Sequence, residues 1–173
     1  IVPEIEKDVL RLSVIANRFS KIGSIPEKEA LDVLPILEKT LAYFKSRSSK
    51  NISFSFETQE SEVIVNINEQ LFTWVLENLI KNAIDAMAGK GALAICLKRE
   101  SNKMLITAQD TGKGIAKNQF KKIFTPGFTT KKRGWGLGLS LSKRIVEDYH
   151  AGRIFVKKSE TNVGTTFEVQ IPL

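Results

Sequence analysis

One cysteine and one histidine, Cys96 and His150, are all that the 173 residues hold of those two types. A lone cysteine excludes a disulfide framework and a cysteine-built zinc site, and it fits a reducing compartment. A lone histidine excludes a multi-histidine metal centre, so histidine chemistry must run through His150 or come from another molecule. No apolar run approaches the roughly 20 residues that a membrane span needs, and no secretory leader is expected. The motif G-x-x-x-x-G-K-[ST] does not occur, which sets aside the P-loop enzymes. What is present is ordinary for a globular protein: 42% hydrophobic and 26% charged residues. A chain of this length buries about 70% of its extended surface on folding and needs no covalent staple. Charge is the exception. Lys and Arg number 26 against 19 Asp and Glu, a net +7, which suits an anionic partner: nucleic acid, phosphate or acidic lipid.

Hydrophobic spacing divides the chain. Ile5, Val9, Leu12, Ile15, Ala16 and Phe19 recur at helical intervals until Gly23-Ser24-Ile25-Pro26 interrupts them. A second helix follows, with Asp32 as its cap, Pro35 in the first turn and Leu34, Leu37, Leu41 and Phe44 as its buried stripe. The period then drops to two. Ile52, Phe54 and Phe56, and after them Val63, Val65 and Ile67, alternate with polar or small residues and predict two strands. Asn68 caps a helix over Leu71 to Met87 that Gly89 and Gly91 end. Strands are expected over 93–97 and 104–108, a helix over 137–149, and closing strands over 153–157 and 165–171. The segment from Asp110 to Gly136 is too long for a passive connection and reads as a functional loop. This order argues for one sheet covered on one face by helices.

Four segments carry chemistry. In the helix around residue 80, Asn78, Asn82 and Asp85 stand at i, i+4 and i+7 and share one stripe. The plain reading is a solvated polar face. Yet asparagine is a mediocre helix former that gains nothing mid-helix as a cap, and its neutral amide oxygen suits Mg²⁺ already surrounded by phosphate charge. Asp110-Thr111-Gly112-Lys113-Gly114-Ile115 follows a predicted strand. Asp-x-Gly alone is a common turn. A carboxylate there also accepts from an exocyclic adenine amine, worth roughly 1.5–3 kcal/mol, and rejects guanine, which presents an oxygen instead. Gly134-Trp135-Gly136-Leu137-Gly138-Leu139 opens a helix. It is a flexible hinge or a set of outward backbone N–H groups fit for phosphate. Phe120 to Arg133 mixes three phenylalanines with lysines, as in a base-stacking surface or a mobile lid.

In this order and at these distances, the four segments resemble the asparagine box, first glycine box, phenylalanine box and second glycine box of sensor histidine kinases. That fold is shared with gyrase-type topoisomerases, mismatch-repair ATPases and the large heat-shock chaperones. The resemblance covers about Pro26 to Leu173, including the closing Gly164-Thr165-Thr166-Phe167 and Ile171-Pro172-Leu173. It implies an α+β fold: a two-layer α/β sandwich, its mixed sheet of about five strands covered on one face by helices and preceded by an N-terminal helix. Residues 1–25 are then similar to the end of the dimerisation and phosphoacceptor hairpin, and 26–173 to the catalytic ATP-binding domain, with a lid at about 116–133.

The resemblance implies ATP and Mg²⁺ as cofactors. Asn82 would hold the metal and Asn78 would assist, the two forming with Lys131 the catalytic set. Asp110 would bind the adenine amine, with Thr165 supporting it through water. Gly112, Gly114 and Ile115 would admit the ring, while Asp85, Phe124, Thr130 and Gly134 would complete the nucleotide contacts. The backbone at Gly136, Leu137, Gly138 and Leu139 would cradle phosphate. Expected partners are a response regulator and the acceptor-histidine hairpin of the same or a partner subunit, in a full-length homodimer; no nucleic acid is expected. The domain would be cytoplasmic, with an inner-membrane anchor of the full-length protein left open.

Two positions depart from the pattern. Trp135 stands where the family usually has a small residue. At position 78 the hydrolysing relatives carry a glutamate, four residues before the metal asparagine, that activates water; here it is Asn78. Glu77 is adjacent but about 100° round the helix. Without a positioned base, water attack on ATP is slow, which favours a kinase over the alternative, a hydrolysing ATPase of the same fold. A basic nucleic-acid-binding module is the remaining alternative. His150, between a helix and the next strand, reads as a structural cap, and the phosphoacceptor is expected upstream of Ile1.

Overall fold

A computed structural model describes residues 27–130 and 135–173. The expected hairpin remnant over 1–25, and the site candidates Lys131 and Gly134, lie outside the described residues. The chain begins with β1 (Glu29–Asp32) and α1 (Val33–Arg47), then β2 (Ile52–Thr58), β3 (Ile64–Ile67) and α2 (Glu69–Met87). Next come β4 (Gly91–Glu100) and β5 (Lys103–Asp110), single 3₁₀ turns at Lys117–Gln119 and Lys122–Phe124, and α3 (Gly138–Arg144). A π-helical turn (Ile145–Tyr149) prolongs α3 before β6 (Arg153–Glu160) and β7 (Gly164–Pro172).

Five strands form a mixed sheet in the order β2-β4-β5-β7-β6. The β2–β4 pair is parallel and the other three are antiparallel. Period-two alternation aims Leu93, Ile95 and Leu97 of β4, Met104, Ile106 and Ala108 of β5, and Phe167, Val169 and Ile171 of β7 at the helices, where all are buried. From α2, Phe72, Val75, Leu76, Leu79, Ile80, Ala83 and Met87 meet them, as spacings of three and four dictate. From α1 come Val33, Leu34, Leu37 and Leu41. The two-layer sandwich read from the sequence is the fold found.

Three local features differ from that reading. A short strand, β1, pairs antiparallel with β3 in a separate two-stranded ribbon. Four residues, half of them exposed, carry too little alternation to be recognised. The Asp32 carboxylate then does more than cap α1: it accepts from Leu34 N at 3.2 Å and from Val63 N at 3.0 Å, fastening the ribbon to the helix start. Finally, α2 ends at Ala88 in the left-handed conformation (φ 50°), one residue before the expected glycine.

Candidate nucleotide site

The site is built where the ends of β5, β7 and β6 meet the middle and end of α2. Asp110 closes β5, is only 4% exposed and lies opposite Thr165 in the β5–β7 register. Its carboxylate accepts from Gly112 N at 2.8 Å. Burial raises its pKa above the ordinary 3.8, opposed by the backbone N–H groups of Gly112 and Thr165. Among the described residues no cation pairs with this carboxylate, and a buried acceptor of this kind suits a neutral donor such as an amine.

The glycines after it are needed for close approach. A Cβ on Gly112 would sit 2.7 Å from the Ala86 backbone, and Lys113 N donates to Ala86 O at 3.0 Å, so this loop lies directly on the end of α2. Gly114 has φ +71°, and a Cβ there would collide with the Glu160 carbonyl. The loop is fastened on its other side to the β6–β7 hairpin: Asn162 N donates to Lys113 O at 2.7 Å and Ile115 N to Ser159 Oγ at 2.8 Å.

In the middle of α2, Asn78 Nδ2 donates to Ser142 Oγ at 2.9 Å. A Cβ on Gly138 would lie 2.5 Å from Asn78 Oδ1, so the start of α3 packs on this amide. Asn82, one turn on, is half-buried, and Asp85 is exposed. The glycine loop closes through Gly127 N donating to Gly136 O at 3.0 Å, and Leu141 N donates to Leu137 O at 3.0 Å, starting the helix from Leu137. Gly138 and Leu139 occupy the first turn of α3, both half-buried. Lys113 Nζ donates to Thr130 Oγ1 at 3.2 Å, linking the loop after β5 to the segment that follows the 3₁₀ turns. Phe124 is buried, edge-to-face on Phe167 with centroids 6.3 Å apart, and roots that segment in the core. Trp135 is 55% exposed.

Among the described residues no group of three or more His, Cys, Asp and Glu could hold a metal. The neutral amides of Asn78 and Asn82 suit a cation that arrives already bound to phosphate oxygens rather than one held by protein alone. His150 is 3% exposed. Its Nδ1 faces Ile145 O at 2.8 Å, and its Nε2 accepts from Asn68 N at 3.1 Å. Both ring nitrogens are thus engaged between the end of the α3 turn and the cap of α2, so the residue is structural.

Two site residues escaped sequence reasoning, Ser142 and Ser159. Alternation along β6 from Ile154 and Val156 puts Ser159 on the outer face. A bulge between Val156 and Lys158 reverses that, pairing Ser159 with Thr165. Nothing in the sequence marks the bulge.

Comparison with known proteins agrees with the geometry. Residues 67–173 match the family model described as histidine kinase-, DNA gyrase B- and HSP90-like ATPase. Sensor histidine kinase ZraS of Salmonella typhimurium is 38% identical over 126 residues, covering 72% of this chain and 27% of that protein. The chain thus spans about a quarter of the length of that relative. The nucleotide-free catalytic domain of histidine kinase ThkA superposes with TM-score 0.77 at 33% identity, covering 84% of this chain and 95% of that one. ThkA in complex with the response regulator TrrA gives 0.78 at 28% identity, over 97% of this chain and 49% of that one. With its core sheet, buried strand-end carboxylate and family match together, the chain belongs to the histidine kinase-, DNA gyrase B- and HSP90-like ATPase family.

Proposed function

We propose that this chain is the ATP-binding catalytic domain of a sensor histidine kinase, donating the γ-phosphoryl group to a histidine that the chain itself does not supply. The observation that carries kinase over ATPase is the amide at position 78, hydrogen-bonded to Ser142 where the hydrolysing relatives have a glutamate. The buried Asp110 receives the adenine amine, Thr165 supports it, and the loop of Gly112, Gly114 and Ile115 admits the ring. Asn82, helped by Asn78, would hold Mg²⁺, which when bound neutralises phosphate charge as the bond to the β-phosphate oxygen lengthens. The backbone of Gly136, Leu137, Gly138 and Leu139 faces the phosphates, and Lys131 supplies the lid's positive charge. In the transfer, the γ-phosphorus leaves the bridging oxygen of ADP and bonds to an imidazole nitrogen.

The partners of this reading are the hairpin carrying that histidine, in a homodimer, and a response regulator, as the complex between ThkA and TrrA supports. ATP as donor goes with a cytoplasmic setting. Steady-state hydrolysis of Mg–ATP tests the assignment: slow turnover is expected, and rapid turnover by the unmodified chain would instead establish an ATPase.

A further inference from the structure

We propose that Ser159, which need never touch the nucleotide, fixes the polarity of the Thr165 hydroxyl and so sets the preference for a 6-amino over a 6-oxo purine. The inference rests on the adenine reading of Asp110.

Asp110, Thr165 and Ser159 form one row across β5, β7 and β6, in register as neighbours. Ser159 Oγ makes three contacts: Ile115 N at 2.8 Å, Gly164 O at 2.9 Å and Thr165 Oγ1 at 2.8 Å. A serine hydroxyl has one proton and two lone pairs. Ile115 N–H can only donate and Gly164 O can only accept, so the serine proton goes to Gly164 O. The contact with Thr165 is then satisfied only if the threonine hydroxyl donates to Ser159. Its single proton is thereby committed, and Thr165 Oγ1 is left with lone pairs alone. Thr165 is 4% exposed and lies opposite Asp110 in the β5–β7 register, so the two share one buried corner. Two groups that can only accept, directly or through water, welcome an exocyclic amine. A 6-oxo group brings a third acceptor, leaving buried groups unpaired. Were the threonine free to turn, it could donate to that oxygen and relieve the mismatch.

Calorimetric titration with Mg–ATP and Mg–inosine triphosphate tests this on the whole chain. The unmodified chain is expected to prefer ATP. Ser159→Ala is expected to narrow that preference about ten-fold, and Ser159→Thr, which keeps a hydroxyl, to restore it. Thr165→Val is expected to weaken ATP without improving the inosine nucleotide, and adding Ser159→Ala to it should leave the ratio unchanged. A folded Ser159→Ala chain with the original ratio would overturn the inference, as would equal narrowing in the Thr165→Val background, which would trace the effect to the Ile115 loop. If Ser159→Ala does not fold, Ser159→Cys, close in size and a weak hydrogen-bonding partner, carries the same comparison. An unmodified chain that binds both nucleotides equally, unaffected by Asp110→Ala, would overturn the adenine pocket itself and this inference with it. A clear preference for ATP that Ser159 variants leave untouched overturns only the inference.

Discussion

Asn78 and Ser142 join the two helices of the nucleotide site through one hydrogen bond of 2.9 Å, from the amide of α2 to a hydroxyl of α3 with no exposed surface. The amide cannot act as a base, and its neighbour is a hydroxyl. A carboxylate here reverses the bond, since it can only accept and the Ser142 hydroxyl must turn to donate, while supplying the missing base. Asn78→Glu is therefore expected to raise basal ATP hydrolysis about ten-fold or more, toward the range that a positioned base provides. Phosphate release assays measure it. An unchanged rate in a chain that still binds ATP would show that position 78 is not aimed at attacking water.

Gly114 and Gly89 both have positive φ, +71° and +93°, but different surroundings. Around Gly89 a Cβ would meet nothing within 4 Å, whereas at Gly114 it would strike the Glu160 carbonyl. Gly89→Ala should therefore cost only the backbone term, about 1–2 kcal/mol. Gly114→Ala should cost clearly more and weaken ATP, because it levers the Asp110 loop off the β6–β7 hairpin. Urea unfolding of the two variants side by side, with ATP titration, reads the difference; equal losses would contradict it.

His150 makes stability depend on pH. Burial holds its pKa below the ordinary 6.5, with Lys28 nearby adding to the effect, against the hydrogen bond to Ile145. The unfolded chain takes up the proton first, so the stabilisation is present above about pH 6.5 and is lost as pH falls through the lower folded value. Protonation would also abolish the acceptor for Asn68 N. Melting temperature is expected to fall between pH 7.5 and 5.5, and His150→Gln should flatten that part of the profile. An identical slope in the variant would assign the dependence elsewhere.

Asp110 works in the opposite sense. Its raised pKa means that the folded chain protonates more readily than the unfolded one, so the ionised carboxylate costs stability at neutral pH and acid relieves it. Asp110→Asn should accordingly keep or raise the melting temperature at pH 7.5 while weakening ATP. In the unmodified chain ATP affinity should fall with acid, beginning above the ordinary carboxylate range; a flat profile would argue that the adenine amine meets a different group.

Much of this was legible in the sequence, for physical reasons. The stripes of α1 and α2, and the alternation of β4, β5 and β7, are long enough for periodicity to identify face and type. Asp32 and Asn68 are caps whose chemistry is local. The loop after β5 was legible as a tight turn because Asp110, Gly112 and Gly114 answer to close contacts that only those residue types allow. What stayed hidden depends on distant partners. The ribbon strand Glu29–Asp32 is defined by its pairing with Ile64–Ile67. Ser159 faces inward because of a bulge, and Ser142 matters because α3 packs on Asn78. Such serines look like any others until the fold supplies their neighbours.

The most direct measurement is calorimetric titration of the unmodified chain and its Asp110→Ala variant with Mg–ATP, both checked for native melting. The unmodified chain is expected to bind with micromolar to millimolar affinity, and the variant to lose at least about ten-fold, the least that a charged hydrogen bond to the amine is worth. Equal binding by both chains, or none by the unmodified one, would contradict the nucleotide site.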